Sequence, residues 1–114
     1  QVRDIIHVDD LCEIIIKQIK NFNKIKNTTF NIGGGEKNSI SLKDLTLKCR
    51  KISGNKIKIS RVSKTSEYDI PYYVTDNKKI KKYYGWQPKK NVDQIVKDIY
   101  QWLIKNKKVK KFFK

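Results

Sequence analysis

The apolar run from Val2 to Val8 ends on two adjacent aspartates, Asp9 and Asp10, and the residues after them repeat leucine and isoleucine at helical spacing. A switch from strand period to helix period across a pair of acids commits a chain to alternating β and α elements. Val2–Val8 reads as a strand, and Asp9 or Asp10 caps a helix with Leu11, Ile14, Ile15, Ile19 and Phe22 on one face, Glu13 being placed to complete a capping box on Asp10. Thr28–Ile32 reads as a second strand ending in Gly33-Gly34-Gly35. Ser41 caps a helix that turns Leu42, Leu45, Cys49 and Ile52 inward and stops at a left-handed Gly54. Ile57–Val62 is a third strand, Ser63–Pro71 a polar loop and Tyr72–Val74 a short strand. Asp76 opens a helix through Tyr84, stopped by Gly85 with Pro88 just beyond. Asn91 and Gln94 open the last helix, whose face is Val92, Ile95, Ile99, Trp102 and Leu103. There is no internal repeat.

With 114 residues the chain makes at most one domain, and a domain of that size buries only about 60–70% of its unfolded surface. No apolar run approaches the ~20 residues of a membrane span, and the start lacks a secretory pattern, so a soluble, cytoplasmic protein without a membrane partner is expected. Cys12 and Cys49 fall within helices and form no Cys-x-x-Cys or His cluster, so free thiols and no metal site are expected. The formal charge of +16 raises the question of a nucleic-acid partner. Lysine supplies 24 of the 27 basic residues and alanine is absent, a bias that produces charge without selection for a ligand. Residues 1–40 carry six basic and five acidic side chains, residues 41–114 carry 21 and six. Recognition of phosphate by a planar fork favours arginine, so solvated lysine faces and no specific nucleic acid are expected. The stretch 105–114, with six lysines and no acid, reads as a basic tail.

Three stretches in order, Arg3-Asp4-Ile5-Ile6-His7-Val8-Asp9-Asp10-Leu11, Asn31-Ile32-Gly33-Gly34-Gly35 and Gly85-Trp86-Gln87-Pro88, carry more than punctuation. Together they resemble the C-terminal, substrate-binding part of the extended short-chain dehydrogenase/reductase family, the NAD-dependent nucleotide-sugar epimerases and dehydratases. Asn38-Ser39-Ile40-Ser41-Leu42, Asp69-Ile70-Pro71 and Tyr73-Val74-Thr75-Asp76 look most like its branch of CDP-paratose (CDP-tyvelose) 2-epimerases. The resemblance implies an α/β fold of mixed alternating strands and helices, with residues 1–104 as the nucleotide-sugar-binding part of a Rossmann-type epimerase and 105–114 as its tail. It also implies a CDP- or UDP-hexose as partner and NAD as cofactor, and it allows a homodimer of the full-length enzyme.

The family's chemistry needs a Gly-x-x-Gly-x-x-Gly turn against the NAD pyrophosphate and a Tyr-x-x-x-Lys pair for proton transfer. Neither is in this sequence: the residues four positions after Tyr68, Tyr72, Tyr73, Tyr83, Tyr84 and Tyr100 are Tyr72, Asp76, Asn77, Gln87, Pro88 and Ile104. Counting from Gly33 and Gly35, the third glycine of a dinucleotide fingerprint falls on Asn38, so the triplet reads as a tight strand-to-helix turn. No catalytic or cofactor-binding residue is therefore assigned, and the NAD site and the Tyr/Lys pair are expected upstream. Gln1 in place of an initiator methionine agrees with a piece of a longer chain.

Two residues are candidates for substrate binding. Arg3 is one of three arginines, and the resemblance implies a contact with the nucleotide-sugar pyrophosphate; the bland alternative is a surface ion pair with Asp4 or Asp9. Asp69 matches an aspartate that the resemblance puts near the nucleotide ribose; otherwise it forms a turn before Ile70-Pro71. The family's arginine in the same element is replaced by Ser66, leaving Lys64 or Arg61 as substitutes. His7, inside an apolar strand with no Cys, Ser or His beside it, reads as a hydrogen-bonded structural histidine. Asp9 and Asp10 read as caps rather than paired catalytic carboxylates. The alternatives to an epimerase part are a basic nucleic-acid-binding module and a structural domain without catalysis.

Overall fold

A computed structural model describes all residues except 57, 61–65, 67 and 110–114. In chain order the elements are β1 (Val2–Asp4), α1 (Val8–Lys20), β2 (Ser39–Ser41), α2 (Leu42–Ser53), β3 (Tyr72–Tyr73), α3 (Lys78–Tyr84) and α4 (Val92–Lys105), with a 3-10 turn, Glu36–Asn38, leading into β2. The sheet runs β2-β1-β3. β1 is antiparallel to β2, with Arg3 opposite Ile40, and parallel to β3, with Arg3 opposite Tyr73. The alternating α/β class read from the sequence is the class observed.

β1 stops at Asp4, four residues short of the expected strand, because its partner β2 begins at Ser39, opposite Asp4. The Ile5 amide then reaches the Asn38 carbonyl (3.1 Å), and the chain turns into α1. The cap of α1 is His7, whose Nδ1 accepts from the Asp9 amide at 3.0 Å. Asp9 and Asp10 lie inside the first turn, and the capping box on Asp10 is absent. The Asp10 carboxylate instead accepts from the Lys90 amide, and Glu13 pairs with Lys17 and Lys89. The helix ends at Lys20, where Asn21 donates from its side chain to the Lys17 carbonyl.

A core of Ile14, Ile80 and Trp86 holds α1 against α3 and the turn after it, with Ile6, Leu11, Phe30, Ile32 and Tyr84 packed around it. Phe30 meets Tyr83 and Tyr84 edge to face, with ring centroids 5.3 and 5.5 Å apart. The expected strand Thr28–Ile32 pairs with no strand among the described residues. The expected inward face of α2 is also only partly realised. Leu45 and Ile52 are half-buried, while Leu42 and Cys49 are exposed, because α2 packs against one neighbouring helix, α4, and a two-helix contact covers a narrow stripe. Both thiols are free and exposed rather than buried as small hydrophobes. The expected strand Ile57–Val62 lies partly outside the described residues, and 58–60 form no strand.

The C-terminal reading holds more closely. The Asp76 carboxylate accepts from the Lys78 amide (2.8 Å), α3 ends at Tyr84, and Gly85 is left-handed at φ 60°. Asn91 and Gln94 form the reciprocal capping box of α4. Val92 and Ile95 are buried as expected, joined by Val96, whereas Ile99 and Trp102 remain half-exposed.

Two glycines separate close approach from left-handed backbone. A Cβ on Gly34 would lie 2.0 Å from the Ile5 carbonyl oxygen, a backbone atom, whereas Gly54 faces open space at φ 71°. Gly34→Ala is therefore expected to destabilise by about 3 kcal/mol or more through forced backbone separation. Gly54→Ala should lose only the ~1–2 kcal/mol of a left-handed residue. Urea denaturation of the two variants checks the order; equal losses would remove the close-approach account.

Candidate functional site

Arg3 lies in the middle strand with neighbours on both sides, so its backbone is held by the sheet and its half-exposed side chain emerges beside β3. One guanidinium nitrogen donates to the Val2 carbonyl at 2.8 Å, and another lies 3.1 Å from Asp69 Oδ1. Asp69 is fixed in turn by its amide, which donates to the Ser66 carbonyl at 3.0 Å, and by Gln1, whose amide nitrogen reaches Oδ2. The structure thus joins the two residues singled out from the sequence, across a separation of 66 positions. The alternative ion pair of Arg3 with Asp4 or Asp9 is not formed: Asp4 accepts from the Gly35 amide, and Asp9 faces Lys90.

A half-exposed pair of this kind contributes roughly 0–1 kcal/mol to stability. What it provides is chemistry: a planar fork of five donors with two nitrogens engaged, beside a carboxylate able to accept hydroxyl hydrogen bonds. Ser66 adds no charge here, its hydroxyl accepting from the Tyr68 amide at 3.4 Å. Arg61 and Lys64 lie outside the described residues.

Behind this pair a polar framework sets the position of β1. Asn77 holds Gly33 at both ends, accepting from its amide at 3.2 Å and donating to its carbonyl at 2.9 Å. The glycine triplet is consequently a packed turn: a Cβ on Gly33 would meet the Thr75 and Asp4 side chains, and one on Gly34 the Ile5 carbonyl. It is not an open cradle for a pyrophosphate. Lys90 is the second tie. Its amide meets Asp10, its carbonyl accepts from Asn38 Nδ2 at 2.9 Å, and its ammonium lies 2.8 Å from Asp98 and 3.0 Å from Asp9. His7 is buried at the centre of this framework. Its Nδ1 accepts from the Asp9 amide, and its Nε2 faces Asp98 at 3.4 Å. It is structural, as the residues around it suggested, but as a helix cap rather than a strand residue.

Asn77 and Lys90 were not singled out from the sequence, because an asparagine beside Asp76 and one lysine among many carry no distinguishing pattern. A cleft of about 600 Å³ is lined by Gly34, Lys37, Tyr72, Asn77, Lys81 and Lys89 among others, and neither Arg3 nor Asp69 lines it. Among the described residues no group of His, Cys, Asp or Glu is arranged to hold a metal ion, and no helix is long and apolar enough to cross a membrane.

The chain as a whole is similar to parts of proteins with named activities. CDP-paratose 2-epimerase of Salmonella typhi is 31% identical over 102 residues, covering 90% of this chain and 30% of that protein. UDP-glucose 4-epimerase of Drosophila melanogaster is 30% identical over 108 residues, covering 92% and 30%. The chain is related to the nucleotide-sugar epimerases. It spans about 30% of the length of the curated relatives it matches. Among solved structures, the Bordetella bronchiseptica enzyme WbmF in complex with NADH shares the fold over 96% of this chain and 31% of its own, with a TM-score of 0.72 and 23% identity. A UDP-galactose 4-epimerase does so over 90% and 35%, with a TM-score of 0.71 and 20% identity. No protein-family model matches. The resemblance drawn from the opening element and the Gly-Trp-Gln-Pro turn is therefore borne out, and so is the fold class of a Rossmann-type epimerase.

The charge ties at Lys90 have a pH signature. The hydrogen bond from Lys90 holds the Asp98 carboxyl below its ordinary range, and hydrogen bonds to Asp98 and Asp9 hold the Lys90 ammonium above its own. A depressed carboxylate contributes stability that is present above its unfolded pKa of about 3.9 and is lost as pH falls through the folded value. A raised ammonium contributes below its unfolded pKa of about 10.4 and is lost as pH rises through the folded value. Asp98→Asn should therefore lower the Tm at pH 7, by an amount that shrinks as pH falls below about 4. A Tm difference independent of pH, in melts followed by circular dichroism, would contradict this.

Proposed function

We propose that the chain is the nucleotide-sugar-binding part of an NAD-dependent epimerase or dehydratase, with a CDP-hexose 2-epimerase as the specific reading. The observation that carries it is the Arg3–Asp69 pair, assembled on the sheet from residues far apart in sequence. In this reading Arg3 turns its free donors to the diphosphate, and Asp69, released in part from Arg3, accepts the ribose hydroxyls. Arg3 stands on the middle strand, and the β1–β3 pairing with the Val2–Pro71 hydrogen bond brings the segment after Asp69 alongside it, so the two groups are held close before a ligand arrives. The relatives' names support the substrate class, since they act on a CDP-sugar and a UDP-sugar. They divide on the base, and the CDP preference rests on the Asp69-Ile70-Pro71 and Tyr73-Val74-Thr75-Asp76 stretches.

NAD, when bound, supplies the hydride chemistry of such enzymes. The described residues of this chain do not fit it: the glycine triplet is filled by Asp4, Thr75 and Ile5 contacts, and no tyrosine has a lysine four residues on. This chain binds and orients the sugar nucleotide, and it moves no proton itself.

Purified residues 1–114 are accordingly expected to give no NAD-dependent conversion of a nucleotide-sugar. Arg3→Ala should weaken binding of CDP- and UDP-hexoses about ten-fold or more, the size of a charge-assisted hydrogen bond of about 1.5–3 kcal/mol. Calorimetric titration measures this. An unchanged Kd would return Arg3 to the role of a surface ion pair.

A further inference from the structure

The cleft of about 600 Å³ lies apart from Arg3 and Asp69, neither of which lines it. Successive residues of a strand point to opposite faces. Tyr73, opposite Arg3 in the β1–β3 register, does not line the cleft, whereas Tyr72 and Val74 on either side of it do, so the cleft opens on the other face of the sheet from Arg3. Its walls are tied to one another by side chains. Asn38 Nδ2 donates to the Lys90 carbonyl at 2.9 Å, joining the turn 35–38 to the segment 87–91, and Asn77 holds Gly33 at both ends, joining 74–78 to the glycine turn. A pre-formed concavity of roughly 300–1,000 Å³ is the size of a small-molecule site.

The lining is unevenly charged, with five lysines against two carboxylates, Glu36 and Asp76. Three of the ammonium groups are engaged: that of Lys90 by Asp9 and Asp98, that of Lys89 by Glu13 and that of Lys78 by Asp76 at 3.7 Å. Among the described residues Lys37 and Lys81 have no carboxylate partner, and both are exposed. Charges of one sign in a cleft focus the field and concentrate counter-ions, and an ammonium is a point charge that meets a phosphate from any side. Tyr72 adds an aromatic ring that is 61% exposed and open to stacking by a flat group.

We propose that this cleft is a second ligand site, taking a nucleoside diphosphate whose phosphates meet Lys37 and Lys81 and whose base lies on Tyr72. It is independent of the nucleotide-sugar reading, which rests on Arg3 and Asp69. The excess of ammonium groups opposes a cation, and a neutral sugar would leave Lys37 and Lys81 without a counter-charge. Inorganic phosphate would satisfy the lysines but leave the ring of Tyr72 unused.

The test uses the chain carrying Arg3→Ala, so that the candidate substrate site is disabled, and follows backbone amide shifts by NMR as ADP or inorganic pyrophosphate is added. ADP should bind saturably and shift amides in 35–38, 75–78 and 89–91. Lys37→Ala with Lys81→Ala should weaken ADP about ten-fold or more, whereas Lys43→Ala with Lys51→Ala, an equal loss of charge on the exposed side of α2, should leave it within about two-fold. Tyr72→Ala should weaken ADP and leave pyrophosphate unchanged. The proposal is overturned if ADP does not saturate at millimolar concentration, if the shifts fall outside the cleft, if the two lysine pairs cost the same affinity, or if Tyr72→Ala weakens ADP and pyrophosphate equally. Nucleotide-sugar binding that survives Arg3→Ala without change overturns the earlier reading alone.

Discussion

The backbone of Lys90 is held at both ends by buried side chains, and the rest of the arrangement depends on that clasp. Asp10, from the first turn of α1, accepts from its amide, and Asn38, from the turn before β2, donates to its carbonyl. Both side chains are 3% exposed, so each would be a costly orphan without this partner. One residue thereby fixes the start of α1, the entry to β2 and the approach to α4. The Lys90 ammonium closes the same junction through Asp9 and Asp98, and His7 seals it from within.

From that junction the geometry of the candidate site follows. The Asn38 carbonyl receives the Ile5 amide, which sets where β1 ends, and β1 carries Arg3. Gly33–Gly35 packs against the same strand from the other side, held by Asp4 and Asn77. The Val2 amide meets the Pro71 carbonyl, and the parallel register of β3 brings the segment after Asp69 alongside. A marginal ion pair is thus positioned by a framework of buried hydrogen bonds, and the pair itself is free to exchange partners.

The apolar residues tell a complementary story. Ile14, Ile80 and Trp86 form a small, fully buried core, and Val92, Ile95 and Val96 add a second patch under α4. Around them the far side of α1 and the outer half of α4 stay uncovered, although both helices carry the regular spacing of packed elements. Lysines at positions 17, 48, 78, 89 and 90 face carboxylates, five of the 24 in the chain, so the net charge of +16 remains a property of its surface.

Local chemistry was legible in the sequence wherever a residue acts on its own neighbours. Ser41, the Asn91–Gln94 box and the left-handed Gly54 and Gly85 all work within a few residues of chain, and the structure keeps them. The opening element and the Gly-Trp-Gln-Pro turn likewise showed the kinship, because they are short and contiguous. Features that depend on partners distant in sequence were not legible. Thr28–Ile32 has the period of a strand, but a strand needs an edge to pair with; Leu42 and Cys49 have a helical period, but burial needs a second surface. His7 looked like part of a strand because its capping role depends on where β2 releases β1. The sequence by itself therefore determined the four helices, the glycine stops of α2 and α3 and the chemistry available at Arg3 and Asp69. Only the tertiary structure decided that these two groups meet and that Asp10 and Asn38 hold Lys90, because hydrogen bonds and ion pairs across 52 to 80 positions depend on the packed backbone and leave no periodic trace in the chain.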